Sequence, residues 1–141
     1  MNGTIVTDKR EIAAEEFFVG LFETALEDGE IVTAVKFTAP AQCGYEKFRN
    51  PASRYALTGV FVAKGGEGAR VAVTGAGDDG VFRSAEIEAA LEKSFDASAL
   101  EGMTVPSDSL MSDIHASADY RANLIVVMAK RAVAKAQANE K

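Results

Sequence analysis

Tryptophan is absent from this sequence of 141 residues, cysteine and histidine occur once each, and proline only three times. A lone cysteine, Cys43, forms no internal disulfide and no Cys-x-x-Cys pair for zinc or an iron–sulfur cluster. It fits a reducing compartment. Basic residues are in deficit, 15 Lys and Arg against 21 Asp and Glu, for a formal net charge of −6 and a pI near 4.8. That balance disfavours nucleic acid or an anionic membrane as a partner. Long apolar runs are missing too. The longest in the tail, Leu124 to Ala129, falls far short of the about 20 residues that span a bilayer. The opening MNGTIVTDKREI lacks the apolar core of a signal peptide. A soluble cytoplasmic protein is expected. With 48% hydrophobic residues, the chain is expected to form one folded domain over 1–141.

The pattern of what is present places strands early and helices late. Thr4 to Thr7 reads as a short strand. Glu15 to Ala25 spaces Phe17, Phe18, Leu21, Phe22 and Ala25 as a helix does, with Gly20 weakening it. After the Asp28-Gly29 turn, Glu30 to Thr38 alternates, and its bulkier face of Ile31, Thr33, Val35 and Phe37 is the expected core side. Gly44 to Arg49 reads as an edge strand. Tyr55 to Lys64 and Arg70 to Thr74 read as two strands joined by Gly65-Gly66-Glu67-Gly68 in an antiparallel hairpin. Ser84 is a helix N-cap candidate, with Ile87, Ala90 and Leu91 as the buried stripe. Glu101 to Ser112 reads as loop. The last helix is expected from Ser117 to Gln137, with Ile125, Met128, Ala129, Ala132, Val133 and Ala136 in a wide stripe. The sum is an α+β fold: a three- to four-stranded antiparallel sheet with helices packed on one face and a long C-terminal helix.

The segment VAVTGAGDDGVFRSAEIEAAL has the outline of a dinucleotide-binding loop, Gly75-x-Gly77-x-x-Gly80. Its details oppose that role. Asp78 and Asp79 stand where a pyrophosphate approaches, the helix begins only near Ser84, and no second parallel strand follows. A structural turn from strand to helix is the better reading. His115, with Asp113 and Ser112 nearby, has the residue types of acid–base chemistry, but no second catalytic partner is placed beside it. Ordering of the loop before the last helix is favoured. Asp78 and Asp79 suit a hard cation less well than they suit a solvated turn. Lys47, Arg49 and Arg54 lie between two strands, either as rim charges of a loop or as partners for phosphate or carboxylate.

Three stretches, FFVGLFETALEDGEIVTAVKF, KFRNPASRYALTGVFV and SDIHASADYRANLIVVMAKRAV, occur in this order. Together they resemble the C-terminal domain of the flavin-binding medium subunit of carbon monoxide dehydrogenase, a domain type found across the xanthine dehydrogenase family of molybdenum hydroxylases. The resemblance runs from about Ile12 to Ala134. It implies a part of a subunit that carries FAD and receives electrons through iron–sulfur clusters from a molybdenum centre in another subunit. Most FAD contacts in the family lie in an N-terminal domain, which is expected to be absent here. The resemblance implies two flavin contacts, an aliphatic residue at Val32 and a lysine at Lys47. At Arg54 the sequence departs from the family, where many relatives carry an acidic residue. The implied role is to help cover FAD and dock partner subunits, without catalysis by this chain alone. The alternative is a free-standing interaction or scaffold domain, alone or as a homodimer, that binds no flavin.

Overall fold

A computed structural model describes residues 1–20, 22–66 and 68–139. The chain divides into two compact units, Met1–Ala39 and Pro40–Lys141.

The first unit holds β1 (Thr4–Thr7), β2 (Glu11–Ala13), the single-turn α1 (Ala14–Phe17), β3 (Phe18–Gly20), β4 (Glu23–Thr24) and β5 (Val32–Lys36). Antiparallel pairing orders three of these strands β2-β1-β5, and β3 pairs with β4. Its buried core is small: Ile5, Ile12 and Phe17, with Ala14, Ala25 and Leu26 against them. The helix expected over Glu15 to Ala25 is therefore corrected to one turn followed by two short strands. Its spacing is helical, but among its described residues only Phe17 is buried, and Phe22 sits at φ 61°, which a helix does not allow. Leu21 of the same run lies outside the described residues.

The expected core face of Glu30 to Thr38 is also corrected. Every residue of β5 is exposed, and so are Ile31 and Phe37. Pairing Val6 with Ala34 and Thr7 with Val32 leaves Thr33 as a bulge, which interrupts the simple alternation. What ties this unit together is polar. Glu30 is buried, and its carboxylate accepts from Arg10 Nε (3.0 Å), the Thr7 hydroxyl (2.7 Å) and the Glu27 N–H (2.8 Å). Arg10, Glu27 and Thr7, in that order, hold the Glu30 carboxyl at about 2, well below its ordinary value.

The second unit is a four-stranded antiparallel sheet in the order β6 (Gln42–Arg49), β7 (Ala56–Gly65), β8 (Gly68–Gly77) and β9 (Gly80–Arg83). α2 (Ala85–Lys93), a short 3-10 helix at Ala97–Leu100 and α3 (Ala118–Ala138) complete it. The α+β class, the antiparallel sheet and the long last helix are as the sequence implies. β7 and β8 pair with Gly65 opposite Gly68. Glu67, within the expected hairpin loop, lies outside the described residues. β8 runs on to Gly77 and turns at Asp78-Asp79 into β9, so the expected turn from strand to helix is in fact a second hairpin.

Alternation puts Val60, Val62, Val71 and Val73 on one sheet face, fully buried. Ile87 and Leu91 of α2, with Ile125, Met128 and Val133 of α3, belong to the same core. Each such side chain contributes about 1.5–3 kcal/mol relative to exposure. Ala129, Ala132 and Ala136 make a small-residue stripe that lets α3 lie close on β6. A Cβ at Gly44 would fall 2.1 Å from the Ala132 carbonyl oxygen, so only glycine fits there. Lys135 ties the same pair of elements, its Nζ donating to Glu46 (2.8 Å). Ser117 caps α3 by accepting from the Tyr120 N–H, while Ser84 stands before α2 without a side-chain cap bond.

Candidate functional site

Val32 lies in the first unit, as the first residue of β5. It is half-exposed, paired only with Thr7 across the bulge, and on the outer strand of its sheet. Its environment offers an apolar contact beside a free strand edge.

Lys47 lies in the second unit, on the edge strand β6 and opposite Gly59 of β7. Gly44 and Glu46 face α3, so Tyr45 and Lys47 face the other way. On that face the Tyr45 hydroxyl lies over Gly59, where an added Cβ would meet it at 2.5 Å and Thr74 Oγ1 at 2.7 Å. Lys47 is half-buried and makes no ion pair among the described residues. A lysine held on a sheet face without a carboxylate is suited to an anionic ligand. The loop that follows β6 is ordered by Asn50, whose side chain accepts from the Ala52 N–H at 2.9 Å. It presents Arg49, Arg54 and Tyr55 to solvent, with Arg54 in a left-handed conformation at φ 61°.

The glycine run is used by the chain itself. A Cβ at Gly75 would fall 2.2 Å from the Ala56 carbonyl oxygen, and one at Gly77 would fall 2.8 Å from that of Gly80. The Asp78 N–H donates to Ser109 (3.1 Å), and the Ala76 carbonyl accepts from Met111 (2.8 Å). Close approach serves strand pairing and the 109–111 loop, so no phosphate cradle is left there. The main pyrophosphate contacts of a dinucleotide do not fit this segment.

Around His115 the structure builds a staple that the sequence reading missed. Arg121, on the first turn of α3, is 2% exposed. Its guanidinium donates to the Leu57 carbonyl, to the Gly75 carbonyl (2.8 Å) and to Asp113 Oδ2 (2.8 Å). Asp113 Oδ1 accepts from the N–H groups of His115 (2.9 Å) and Ala116 (3.0 Å). Those contacts, the His115 N–H foremost, hold the Asp113 carboxyl below its ordinary value. The carboxylate is therefore turned to backbone and guanidinium, and His115 itself is exposed. The signal was present in the spacing: Arg121 stands four residues before Ile125, on the buried stripe of α3. Cys43 is a free, half-buried thiol. Among the described residues no group of His, Cys, Asp and Glu side chains is arranged to hold a metal ion, and no helix is long and apolar enough to cross a membrane.

No protein-family model matches the chain. Among curated proteins it is 27% identical over 143 residues to the carbon monoxide dehydrogenase medium chain of Afipia carboxidovorans, covering 94% of this chain and 50% of the relative. It is 30% identical over 151 residues to the nicotine 6-hydroxylase medium subunit of Paenarthrobacter nicotinovorans, covering 98% of this chain and 53% of the relative. Among solved structures, a reconstituted CO dehydrogenase from Oligotropha carboxidovorans superposes with a TM-score of 0.75 at 26% identity, over 97% of this chain and 53% of that one. Quinoline 2-oxidoreductase from Pseudomonas putida 86 shares the fold, with a TM-score of 0.75 at 24% identity over 99% of this chain and 54% of that one. The chain thus spans about half the length of the relatives it matches. These curated relatives are a carbon monoxide dehydrogenase medium chain and a nicotine 6-hydroxylase medium subunit, the kind of subunit that the three sequence stretches imply.

Proposed function

We propose that this chain serves as the C-terminal part of the FAD-containing medium subunit of a carbon monoxide/xanthine dehydrogenase-type molybdenum hydroxylase. In this reading it helps to cover FAD and docks the FAD-binding domain and the iron–sulfur and molybdenum subunits for electron transfer. The observation that carries the reading is the similarity to two medium subunits along 94% and 98% of the chain, through both compact units. FAD supplies the electron acceptor when bound. Toward it, Val32 offers an apolar contact and Lys47 a positive charge for an anionic or polar atom. The closed Gly75–Gly80 segment leaves the pyrophosphate to another domain, so the fit is to a peripheral share of the cofactor site. Catalysis by this chain alone is not part of the reading; a cytoplasmic location is.

The test is a titration of the purified chain with FAD, followed by flavin fluorescence and the visible spectrum. Saturable binding that weakens about tenfold in Lys47→Ala, the loss of roughly one charge-assisted hydrogen bond, supports the assignment. Saturable binding indifferent to both Lys47→Ala and Val32→Asp removes these residues from the flavin site.

A further inference from the structure

We infer that Tyr45, Lys47 and Thr74, gathered over Gly59 on the sheet face turned away from the helices, form a binding site for a phosphate-like oxyanion. The inference stands on the geometry of Pro40–Lys141 and shares only Lys47 with the flavin reading.

Strand register builds the site. Lys47 of β6 stands opposite Gly59 of β7, and Gly59 stands opposite Thr74 of β8, so the three share one row across three strands. Neighbouring strands lie about 4.8 Å apart, which sets the Cα atoms of Lys47 and Thr74 roughly 10 Å apart with only a glycine between them. The notch that Gly59 leaves is filled from the next row. Tyr45, two residues before Lys47, leans across so that its hydroxyl lies 2.5 Å from the point a Gly59 Cβ would take, and Thr74 Oγ1 lies 2.7 Å from the same point. The two hydroxyl oxygens are therefore no more than about 5 Å apart, close enough for one acceptor oxygen to take an O–H bond of about 2.7 Å from each. Phe61, opposite both Tyr45 and Ala72, makes the adjoining row apolar.

The three polar groups converge without partners. Among the described residues the Tyr45 hydroxyl, the Thr74 hydroxyl and the Lys47 ammonium make no hydrogen bond or ion pair. Tyr45 is 38% exposed, and Lys47 and Thr74 are half-buried. Half-buried polar groups left unpaired by the chain are open to water or a ligand. Their chemistry selects that ligand. Two hydroxyls donate to an oxyanion, and the lysine adds a full positive charge. By alternation the residues of β6, β7 and β8 on this face include Arg70 and no Asp or Glu. Glu46 lies on the other face, bonded to Lys135. In a chain of net charge −6, a sheet face with cations and no carboxylate favours anions against the overall field. An anionic oxygen reaches it as a free phosphate-like ion or on a bound flavin, and the experiment separates these two sources.

The experiment titrates the full chain with sodium phosphate at constant ionic strength, with sodium chloride as the blank. Calorimetry gives the affinity, and the amide NMR signals of Gly59 and Thr74 give the place. The expected result is saturation with a Kd on the order of 1 mM, weakened about five- to tenfold in each of Tyr45→Phe and Thr74→Val. Gly59→Ala should remove binding while the chain stays folded, because the nearest neighbours of its Cβ are side-chain atoms of Tyr45 and Thr74, which swing away from the site. A parallel titration with FAD assigns the source. FAD that displaces phosphate, and itself weakens in Tyr45→Phe, puts the oxygen on the flavin. Phosphate that binds beside FAD, or to a chain that takes up no FAD, marks a free ion and upholds the site even where the flavin reading fails. No saturable phosphate binding by the parent chain, or binding retained when Tyr45→Phe and Thr74→Val are combined, overturns the inference.

Discussion

Replacing Arg121 should destabilise Pro40–Lys141 more than any other single polar change in that unit. The guanidinium is buried, and two of its acceptors are backbone carbonyls, those of Leu57 and Gly75. This makes it unlike an ordinary buried ion pair. Two paired side chains can be exchanged together for apolar groups at little cost. The carbonyls of Leu57 and Gly75 remain whatever stands at 121. Arg121→Met fills much of the volume but strands the Gly75 carbonyl and leaves the Leu57 carbonyl only the Thr58 hydroxyl (2.9 Å), at about 1–3 kcal/mol for a stranded acceptor, and it leaves Asp113 without its guanidinium. A loss of roughly 3–5 kcal/mol follows. For a unit of about 100 residues that lowers Tm by roughly 10–20 °C. Urea unfolding followed by circular dichroism reads the change in midpoint, with the slope as a check that the unfolded state is unaltered. Asp113→Asn should be milder, because the amide oxygen still accepts the N–H groups of His115 and Ala116 and Arg121 keeps both backbone carbonyls, while the amide NH2 facing the guanidinium loses only that one bond. If Arg121→Met unfolds within about 0.5 kcal/mol of the parent, within the range of an ordinary surface change, the staple is ornamental and the reasoning fails.

Two further outcomes follow from the packing and the charges. Gly44→Ala should cost at least about 1–3 kcal/mol, or prevent folding, because its Cβ meets backbone of α3 and not a movable side chain; chemical denaturation beside the milder Gly66→Ala, whose Cβ meets nothing within 4 Å, gives the comparison. Glu30 titrates near 2 in the folded chain, below the about 4.3 of an unfolded one, so its contribution is complete above the unfolded value and is lost as pH falls toward 2. NMR of the Glu27 amide, whose N–H bonds Glu30, should show this midpoint, and Glu30→Gln should remove it. A midpoint near the ordinary glutamate value would mean that the buried cluster with Arg10 and Thr7 does not form.

How far the sequence spoke depended on how far local pattern and tertiary packing agreed. The last helix was legible because Ile125, Met128, Ala129, Ala132 and Val133 repeat at helical period over more than two turns, and nothing competes with that stripe. The hairpin of β7 and β8 was legible from alternating valines around glycines. The run from Glu15 to Ala25 was not. Its phenylalanines have helical spacing, yet only Phe17 finds a core and Phe22 takes a left-handed backbone, so context overrode period. In β5 the bulge at Thr33 broke the alternation on which the expected core face depended, and the whole strand stands exposed. Local pattern does not single out Arg121, since a cation in the first turn of a helix is ordinarily solvated; its register with Ile125 is the available clue. The glycine run was correctly read as structural, since Asp78 and Asp79 already argued against phosphate, but the hairpin it builds depends on the distant 109–111 loop, which no local pattern reveals.

The most direct measurement for the proposed role is the amount of FAD retained when this chain is combined with the unmatched half of the Afipia carboxidovorans medium chain. Retention that requires this chain, and falls about tenfold in affinity with Lys47→Ala, is the result that a flavin-covering part of a medium subunit gives. Retention by the other half alone, unchanged when this chain is added, would contradict it.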